Sequence, residues 1–168
     1  KKPLNVNQYF PRLTQRLITS IAAPTSEGVL RDVDMRLRPS GSQGPVATSF
    51  ESFREYQKKS AWTWEKLALT RARVVSGDAK LAEALSKAIA NSLRAPRDVS
   101  VTRNDVLVMR RLMVKEQGSA GLWDVKRARG GLVEVEFIAQ FLQLIHARRH
   151  PEILDTNTHA ALGKLAAA

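Results

Sequence analysis

The stretch VLRDVDMRLRPSGSQGP, residues 29–45, decides the first part of the fold. Apolar and charged residues alternate over residues 29–37, and this two-residue period predicts a strand with one apolar and one charged face. Proline, glycine and serine then dominate residues 39–45, which predicts a loop. Because a strand needs hydrogen-bonding partners, we expect them at residues 46–48 or 123–126 or, preferably, in sequence outside this chain.

The charged face of this predicted strand carries four side chains, Asp32, Asp34, Arg36 and Arg38. Carboxylates hold hard divalent cations such as Mg²⁺ through their oxygens, and guanidinium groups clamp phosphate oxygens. The pattern therefore suits metal-assisted nucleotidyl or phosphoryl transfer. A solvent-facing strand with cross-strand ion pairs would show the same pattern, so the residues alone leave both interpretations open.

Almost all of the remaining chain is predicted to be helical. Residues 6–21 have the apolar spacing of an amphipathic helix, and Ser49 can cap a helix that begins at Phe50. Further helices are predicted at about 61–75, 78–92, 104–116 and 132–145, with a last one from residue 155 or 156. Residues 132–145 are apolar nearly all round, which predicts a buried helix.

The net charge of +11 permits attraction to nucleic acid, nucleotide phosphates or an acidic protein surface, and a solvated basic surface explains it equally well. No helix-turn-helix signature, aromatic RNA-binding motif or zinc-finger spacing is found, which disfavours nucleic-acid binding. No apolar run approaches the roughly 18 residues that a membrane helix needs. The absence of cysteine is ordinary in a reducing cytosol, so we expect a cytoplasmic protein without a membrane segment.

Three blocks of this sequence closely resemble bacterial glutamine-synthetase adenylyltransferases. The blocks are VDMRLRPSG at 33–41, AWTWE with ALTRARVVSGD at 61–65 and 68–78, and DVK with GGLVEVEFI at 124–126 and 130–138. Their order and spacing agree with the family over about residues 7–146, although Glu134 stands where the family more often has aspartate. The AWTWE block and the RVVSGD ending look more like the C-terminal, adenylylating half of these enzymes.

The resemblance implies an α+β fold that is mostly α. Residues 1–77 would be the C-terminal part of a polymerase-β-like nucleotidyltransferase domain, and residues 78–168 the truncated start of a helical bundle. The implied reaction transfers AMP from ATP to a tyrosine of glutamine synthetase with Mg²⁺, and the sister half removes it by phosphorolysis, which regulates nitrogen assimilation. The PII signal protein is the implied regulatory partner. Alternatives are a relative that uridylylates PII and a non-catalytic helical module that docks a partner.

By resemblance, Asp34 corresponds to the third carboxylate of the family's site, so we expect it to be catalytic and a Mg²⁺ ligand. Asp32 is a second candidate ligand, although its position lies outside the family's fixed pattern. Arg36 and Arg38 would contact the triphosphate or the pyrophosphate leaving group. The pair of aspartates that the family carries before this strand is not found in the chain, so we expect the isolated chain to be inactive.

Lys126 precedes Gly130 and Gly131, which open the helix predicted at 132–145. A lysine beside a helix N-terminus is a candidate phosphate-binding site. The alternative, which we favour, is a tight turn whose glycines allow close packing.

Glu136 is a charged residue on the helix that is predicted to be buried, and a buried charge needs a partner. It could reach the active site or pair with Arg71 or Arg73, and a structural ion pair is the favoured interpretation. Trp62 and Trp64 could stack on adenine, but we expect both in the hydrophobic core.

Overall fold

The computed structural model describes residues 4–29, 31–117 and 123–168. Within them the chain is mostly helical, as predicted, with one small two-stranded sheet. The α-helices are α1 (Val6–Ile21), α2 (Phe50–Lys59), α3 (Thr63–Leu69), α4 (Ala79–Leu93), α5 (Val99–Gln117), α6 (Leu132–His146) and α7 (Thr158–Ala167). The chain divides into two compact units, Lys1–Ser60 and Ala61–Ala168. The predicted boundary between residues 77 and 78 concerns domain identity and stays a prediction.

The unit Lys1–Ser60 contains two helices whose predicted starts are confirmed by their caps. Asn5 accepts a hydrogen bond from the backbone N–H of Gln8 at 3.0 Å and begins α1, and Ser49 accepts one from Ser52 at 3.1 Å and begins α2. Between the helices, β1 (Pro24–Thr25) pairs antiparallel with β2 (Gly28–Val29). A short 3₁₀ helix follows at Gly41–Gln43.

The predicted strand over residues 29–37 is wrong. Strand β2 ends at Val29, residue 30 lies outside the described residues, and residues 31–36 have no regular secondary structure. Neither 46–48 nor 123–126 forms a strand, and in the described ranges the short β1–β2 hairpin is the only sheet. Alternation alone does not make a strand, because the backbone groups of a strand need a paired neighbour.

The unit Ala61–Ala168 is a helical assembly around α3 and α6. Helix α3 packs against α4, α5 and α6, while α6 also packs against α5, α7 and the 3₁₀ helix at Pro151–Ile153. Its buried apolar side chains come from four α-helices, the 3₁₀ helix and the residue that follows α6: Leu67, Leu69, Leu93, Ala139, Leu144, Ala147, Ile153 and Ala161. Gln143, also buried, accepts the backbone N–H of Asp155 at 2.9 Å, which ties the segment before α7 to α6.

Three helix boundaries in this unit differ from the prediction. Helix α7 begins at Thr158, after its cap Asn157, and not at residue 155 or 156. Helix α3 ends at Leu69 instead of continuing to residue 75. Thr70 is its C-cap, with its hydroxyl donating to the Leu67 carbonyl at 2.7 Å, and residues 72–75 have no regular secondary structure. Helix α5 begins at Val99, five residues earlier than predicted. The carboxylate of Asp98 accepts the backbone N–H of Val101 at 2.9 Å and provides the cap.

Two burial predictions are also corrected. Helix α6 buries one face only, since Leu132 is 60% and Ile138 55% exposed. Trp62, at the N-terminal boundary of α3, is 69% exposed, whereas Trp64 is 37% exposed. None of the helices in the described ranges combines the length and apolar character that a bilayer span requires.

Candidate functional site

Asp34 and Arg36 form an ion pair within the irregular segment that follows β2. The guanidinium of Arg36 donates from Nε at 3.0 Å to each oxygen of the Asp34 carboxylate and from Nη2 at 2.6 Å, and the Arg36 backbone N–H donates at 2.9 Å. These hydrogen bonds, the side-chain ones first, lower the pKa of Asp34 to about 2. The carboxylate is therefore ionised at neutral pH and already paired.

Arg38 lies inside the loop that follows, and its guanidinium contacts backbone carbonyls. It donates to the carbonyl oxygens of Met35 at 2.5 Å, Gly44 at 3.0 Å and Ser42 at 3.0 Å. The loop is tight: a Cβ on Gly44 would lie 1.9 Å from the Pro39 carbonyl oxygen. Arg38 therefore holds the loop in shape with three of its donor groups, and its predicted contact with phosphate stays a prediction.

The described residues do not form a complete Mg²⁺ site. Asp32 and Asp34 supply the oxygen donors that Mg²⁺ prefers, but no group of three or more His, Cys, Asp or Glu residues in the described ranges could hold a metal ion. Both oxygens of Asp34 also accept hydrogen bonds from Arg36. A divalent ion at Asp34 would need further ligands and a movement of Arg36, so metal chemistry does not follow from these residues alone.

The glycine pair after Lys126 forms a tightly packed turn. A Cβ on Gly131 would lie 2.6 Å from the Val125 carbonyl oxygen and 2.8 Å from that of Ala128. The backbone N–H groups of Gly131, Leu132 and Val133 all donate to carbonyls within 124–133, at 2.8, 3.0 and 3.1 Å.

These hydrogen bonds occupy N–H groups that the predicted phosphate site at Lys126 would use. An anion at a helix N-terminus is bound by N–H groups that the helix leaves unpaired, and the first N–H groups of α6 are already bonded to the turn. The exposed side chain of Lys126 lies on this turn. The geometry favours the close-packing interpretation of the glycines, and phosphate binding by Lys126 stays a prediction.

Glu136 forms the expected ion pair with an arginine. Arg71, which directly follows the residue that caps α3, donates from Nη1 to Glu136 Oε1 at 2.9 Å. The two side chains are half-exposed, at 51% for Arg71 and 37% for Glu136, so the pair lies at the surface of the helical unit. Arg73 lies instead beside a cavity of about 510 Å³ that Thr70 and Asp155 also line.

A second ion pair, between Arg110 on α5 and Glu134 on α6, was not predicted. Glu134 also accepts the backbone N–H of Gly130 at 3.0 Å, so it joins α5 to the glycine turn. The departure of Glu134 from the more common aspartate marks this position in the sequence. Its partner could not be identified, because pairing across two helices depends on how they pack.

Lys66 and Arg97 form a half-buried basic cluster that was also not predicted. Burial, followed by the nearby charge of Arg97, lowers the pKa of Lys66 to about 8. Lys66 donates to the Ser92 hydroxyl at 2.9 Å, and Arg97 donates to the carbonyls of Ser92 and Leu93 at 3.0 Å each. Arg97 thereby caps the C-terminus of α4, a structural role.

The candidate residues fall into two groups, which belong to different compact units. Asp32, Asp34, Arg36 and Arg38 lie in Lys1–Ser60, while Arg71, Arg73, Lys126 and Glu136 lie in Ala61–Ala168. Within the first group the structure pairs Asp34 with Arg36, and within the second it pairs Arg71 with Glu136.

Comparison with known proteins identifies the family. Residues 1–88 match the family model described as glutamate-ammonia ligase adenylyltransferase. Among curated proteins, the bifunctional glutamine synthetase adenylyltransferase/adenylyl-removing enzyme of Rhodopseudomonas palustris strain TIE-1 is 50% identical over 162 residues, which is 96% of this chain and 16% of that protein. The enzyme of the same name from Agrobacterium fabrum strain C58 is 54% identical over 144 residues, 86% of this chain and 15% of its own length.

The chain thus spans only about a sixth of the length of the curated relatives that it matches. The matched region nevertheless extends over nearly the whole chain. The family model spans the first two of the three sequence blocks, at 33–41 and 61–78. This chain belongs to the glutamate-ammonia ligase adenylyltransferase family.

Proposed function

We propose that this chain is part of an enzyme that transfers AMP from ATP to a tyrosine of glutamine synthetase. The observation that carries the proposal is its identity of about 50% to the bifunctional glutamine synthetase adenylyltransferase/adenylyl-removing enzymes over nearly its full length. The AWTWE block and the RVVSGD ending support the C-terminal, adenylylating half. In this proposal the parent enzyme is cytoplasmic and regulates nitrogen assimilation, with the PII signal protein as its regulatory partner.

The chain combines the end of a polymerase-β-like nucleotidyltransferase domain, residues 1–77, with the start of a helical bundle, residues 78–168. The acidic and basic side chains of residues 32–38 support the first assignment, and the packed helices after Asp78 support the second. In the first domain Asp34 is the proposed catalytic carboxylate and Mg²⁺ ligand, with Asp32 as a further oxygen donor. Arg36 and Arg38 are the proposed phosphate contacts, and Lys126 is a third.

Activity of this proposed site requires ligands beyond Asp32 and Asp34. A nucleotidyltransferase that uses two metal ions needs several carboxylates to hold them, and the described residues offer no group of three. The 168-residue chain by itself is therefore expected to be inactive. The Arg71–Glu136 pair lies within the unit Ala61–Ala168, and its proposed role is structural.

A non-catalytic docking role for the helical unit is a second candidate function. The observation that favours it is an exposed apolar groove between α5 and α6, whose lining includes Leu107 and Ile138. A relative that uridylylates PII is a weaker candidate, because the AWTWE and RLRPSG blocks match the adenylyltransferase family.

The experiment that tests the proposed function measures AMP transfer from labelled ATP to glutamine synthetase with Mg²⁺. Three proteins are compared: the 168-residue chain, a chain extended upstream, and the extended chain with Asp34→Asn. We expect labelling by the extended wild-type chain only, with a loss of at least about 100-fold in the variant because a metal ligand is removed.

The matched control is Asp78→Asn in the extended chain. Asp78 caps α4 through hydrogen bonds to Lys80 and Leu81, so this variant tests the effect of losing an aspartate outside the proposed site. If Asp34→Asn labels glutamine synthetase as well as the wild type, Asp34 has a structural role and the assignment of the site is wrong. If no extended chain labels it, the proposed function itself fails.

A further inference from the structure

An apolar groove runs between α5 and α6 in the helical unit. It has a volume of about 250 Å³ and is lined by Val106, Leu107, Phe137, Ile138 and Phe141. Leu107 is 42% and Ile138 55% exposed. A cavity of about 150 Å³ accommodates a benzene molecule, so this groove has room for at least one large apolar side chain and part of a second.

Charged residues lie along the α5 side of the groove. Arg103 and Arg110 lie seven residues apart on α5, two helical turns or about 10 Å along its axis. Arg110 is paired with Glu134 at one end, whereas Arg103 is exposed. Across Ala61–Ala168, 17 lysines and arginines stand against 11 aspartates and glutamates. Glu134 also lines the groove and offsets the charge of Arg110, so the basic edge consists mainly of the exposed Arg103, on a unit that is basic overall.

We propose that this groove binds an acidic amphipathic helix of a partner protein. Apolar side chains at i, i+3 or i+4, and i+7 of such a helix would enter the groove between Leu107 and Ile138, which is the usual way in which a helix binds an apolar groove. A carboxylate on one flank of that helix would face Arg103, while Arg110 stays paired with Glu134. Opposite charges at the edge of an interface increase specificity and the rate of association.

The charge of the chain's own exposed amphipathic helix argues against a second copy as the occupant. Helix α1 exposes Val6, Phe10 and Leu17 on its apolar face but carries Arg12 and Arg16 and no acidic residue. Placed in the groove, it would bring two arginines toward a basic edge, and like charges across an interface weaken binding. An acidic helix has the complementary charge.

The test uses the 168-residue chain and two synthetic helical peptides of about four turns. Both peptides carry leucines at i, i+3, i+4 and i+7; one has glutamates along a flank and the other lysines at the same positions. Binding is measured by fluorescence anisotropy, and methyl NMR of Ile138 reports whether the groove is occupied. We expect the glutamate peptide to bind at least about tenfold more tightly than the lysine peptide.

Two variants test whether the peptide binds in the groove, and a third variant is the matched control. We expect Ile138→Gln to lower the affinity for the glutamate peptide at least about tenfold through loss of apolar contact. Arg103→Glu should lower the affinity for the glutamate peptide and raise the affinity for the lysine peptide. Leu112→Gln changes an α5 leucine that is 53% exposed and does not line the groove, so its affinity should stay within about twofold of wild type.

Three results would overturn the proposal: equal binding of both peptides, undiminished binding by Ile138→Gln, or no binding by the wild-type chain. A fourth such result would come from sedimentation velocity. If the wild-type chain forms a dimer and Ile138→Gln abolishes it, a second copy of the chain covers the groove. Circular dichroism confirms that each variant is folded before its affinity is interpreted. None of these measurements involves AMP transfer. If the groove does not bind the peptide, the proposed AMP transfer still stands, and if AMP transfer fails, the proposed binding in the groove still stands.

Discussion

The ion pair between Asp34 and Arg36 lowers the pKa of the proposed catalytic carboxylate. The pair lies two residues apart along an irregular segment, so the backbone conformation brings the guanidinium and the backbone N–H of Arg36 to the same carboxylate. A carboxylate with such donors keeps its charge to low pH. In the proposed site, this charge suits a metal ligand, whereas a general base near neutral pH would need a higher pKa.

Removal of the Arg36 guanidinium should raise the pKa of Asp34. In Arg36→Gln we expect it to move from about 2 toward its ordinary value of 3.8 but to remain below it, because the backbone N–H of residue 36 still donates. Since the folded pKa lies below the ordinary one, any stability contributed by the pair is present above about pH 4 and is lost as the pH falls through about 2. Carboxyl NMR titration measures this pKa directly.

Arg31→Gln provides the control for that titration. Arg31 is an exposed arginine three residues before Asp34, and it is not among the groups that lower the pKa of Asp34. Its replacement removes the same charge and should leave the titration of Asp34 almost unchanged. An unchanged pKa in Arg36→Gln, or an equal rise in Arg31→Gln, would contradict the assignment of the shift to the hydrogen-bonded pair.

At the scale of single elements, the turn at Gly131 fixes where α6 begins. The turn returns three backbone N–H groups to nearby carbonyls, and a Cβ at residue 131 would meet two of those carbonyl oxygens at less than 3 Å. The requirement for glycine is one of space, since the φ of Gly131 is −75°, a value that every residue type adopts. Its neighbour Gly130 has a φ of +79° and open space.

Gly131→Ala should therefore destabilise the chain, by about 1–3 kcal/mol, because an added methyl group in a tight site forces the backbone to shift. Gly163→Ala is the matched control: it lies inside α7, and nothing would approach its Cβ within 4 Å. That variant should stabilise the chain by roughly 0.5–1 kcal/mol, because alanine favours helix over glycine. Urea unfolding measures both, and a neutral Gly131→Ala would contradict the close approach.

The success of sequence-based prediction differed between helices and the strand for a physical reason. Helix starts such as those after Asn5, Ser49 and Asp78 depend on a side chain and backbone donors two or three residues away, so they are visible locally. The strand expected at 29–37 depended on a neighbour that the described chain does not supply. Alternating charge over this segment is compatible with an irregular, locally paired conformation as well.

In the candidate site, too, contacts that depend on tertiary packing could not be predicted from the sequence. The pairing of Glu136 with an arginine was anticipated on the premise of a buried charge. The pair forms with Arg71, 65 residues away, but it is half-exposed, so the premise was wrong although the partner was right. The Arg110–Glu134 pair could not be anticipated, since the partner of Glu134 is fixed only by the packing of α5 on α6. The contacts of Arg38 with three carbonyls depend on the shape of a loop, which residue spacing does not determine.

At the scale of the whole molecule, apolar burial is distributed unevenly between the two units. In the described ranges every fully buried apolar side chain belongs to Ala61–Ala168. Helix α1 leaves Val6 68% and Leu17 58% exposed, and α2 contains no buried residue. Since apolar burial supplies most of the favourable free energy of folding, the unit Ala61–Ala168 should account for most of the stability of this chain.

Removal of the first 60 residues should consequently change the thermal stability little. We expect a chain of residues 61–168 to unfold cooperatively, with a Tm within about 5 °C of the full chain, because a change of 1 kcal/mol shifts the Tm of a domain this size by roughly 4–8 °C. Hydrogen exchange should show α1 amides exchanging near the rates of an isolated helix, while α3 and α6, which pack at the core of the second unit, remain protected. A Tm lower by 10 °C or more in the shortened chain, or protection of α1 equal to that of α6, would contradict this distribution of stability. Either result would mean that residues 4–60 contribute packing energy that their burial does not account for.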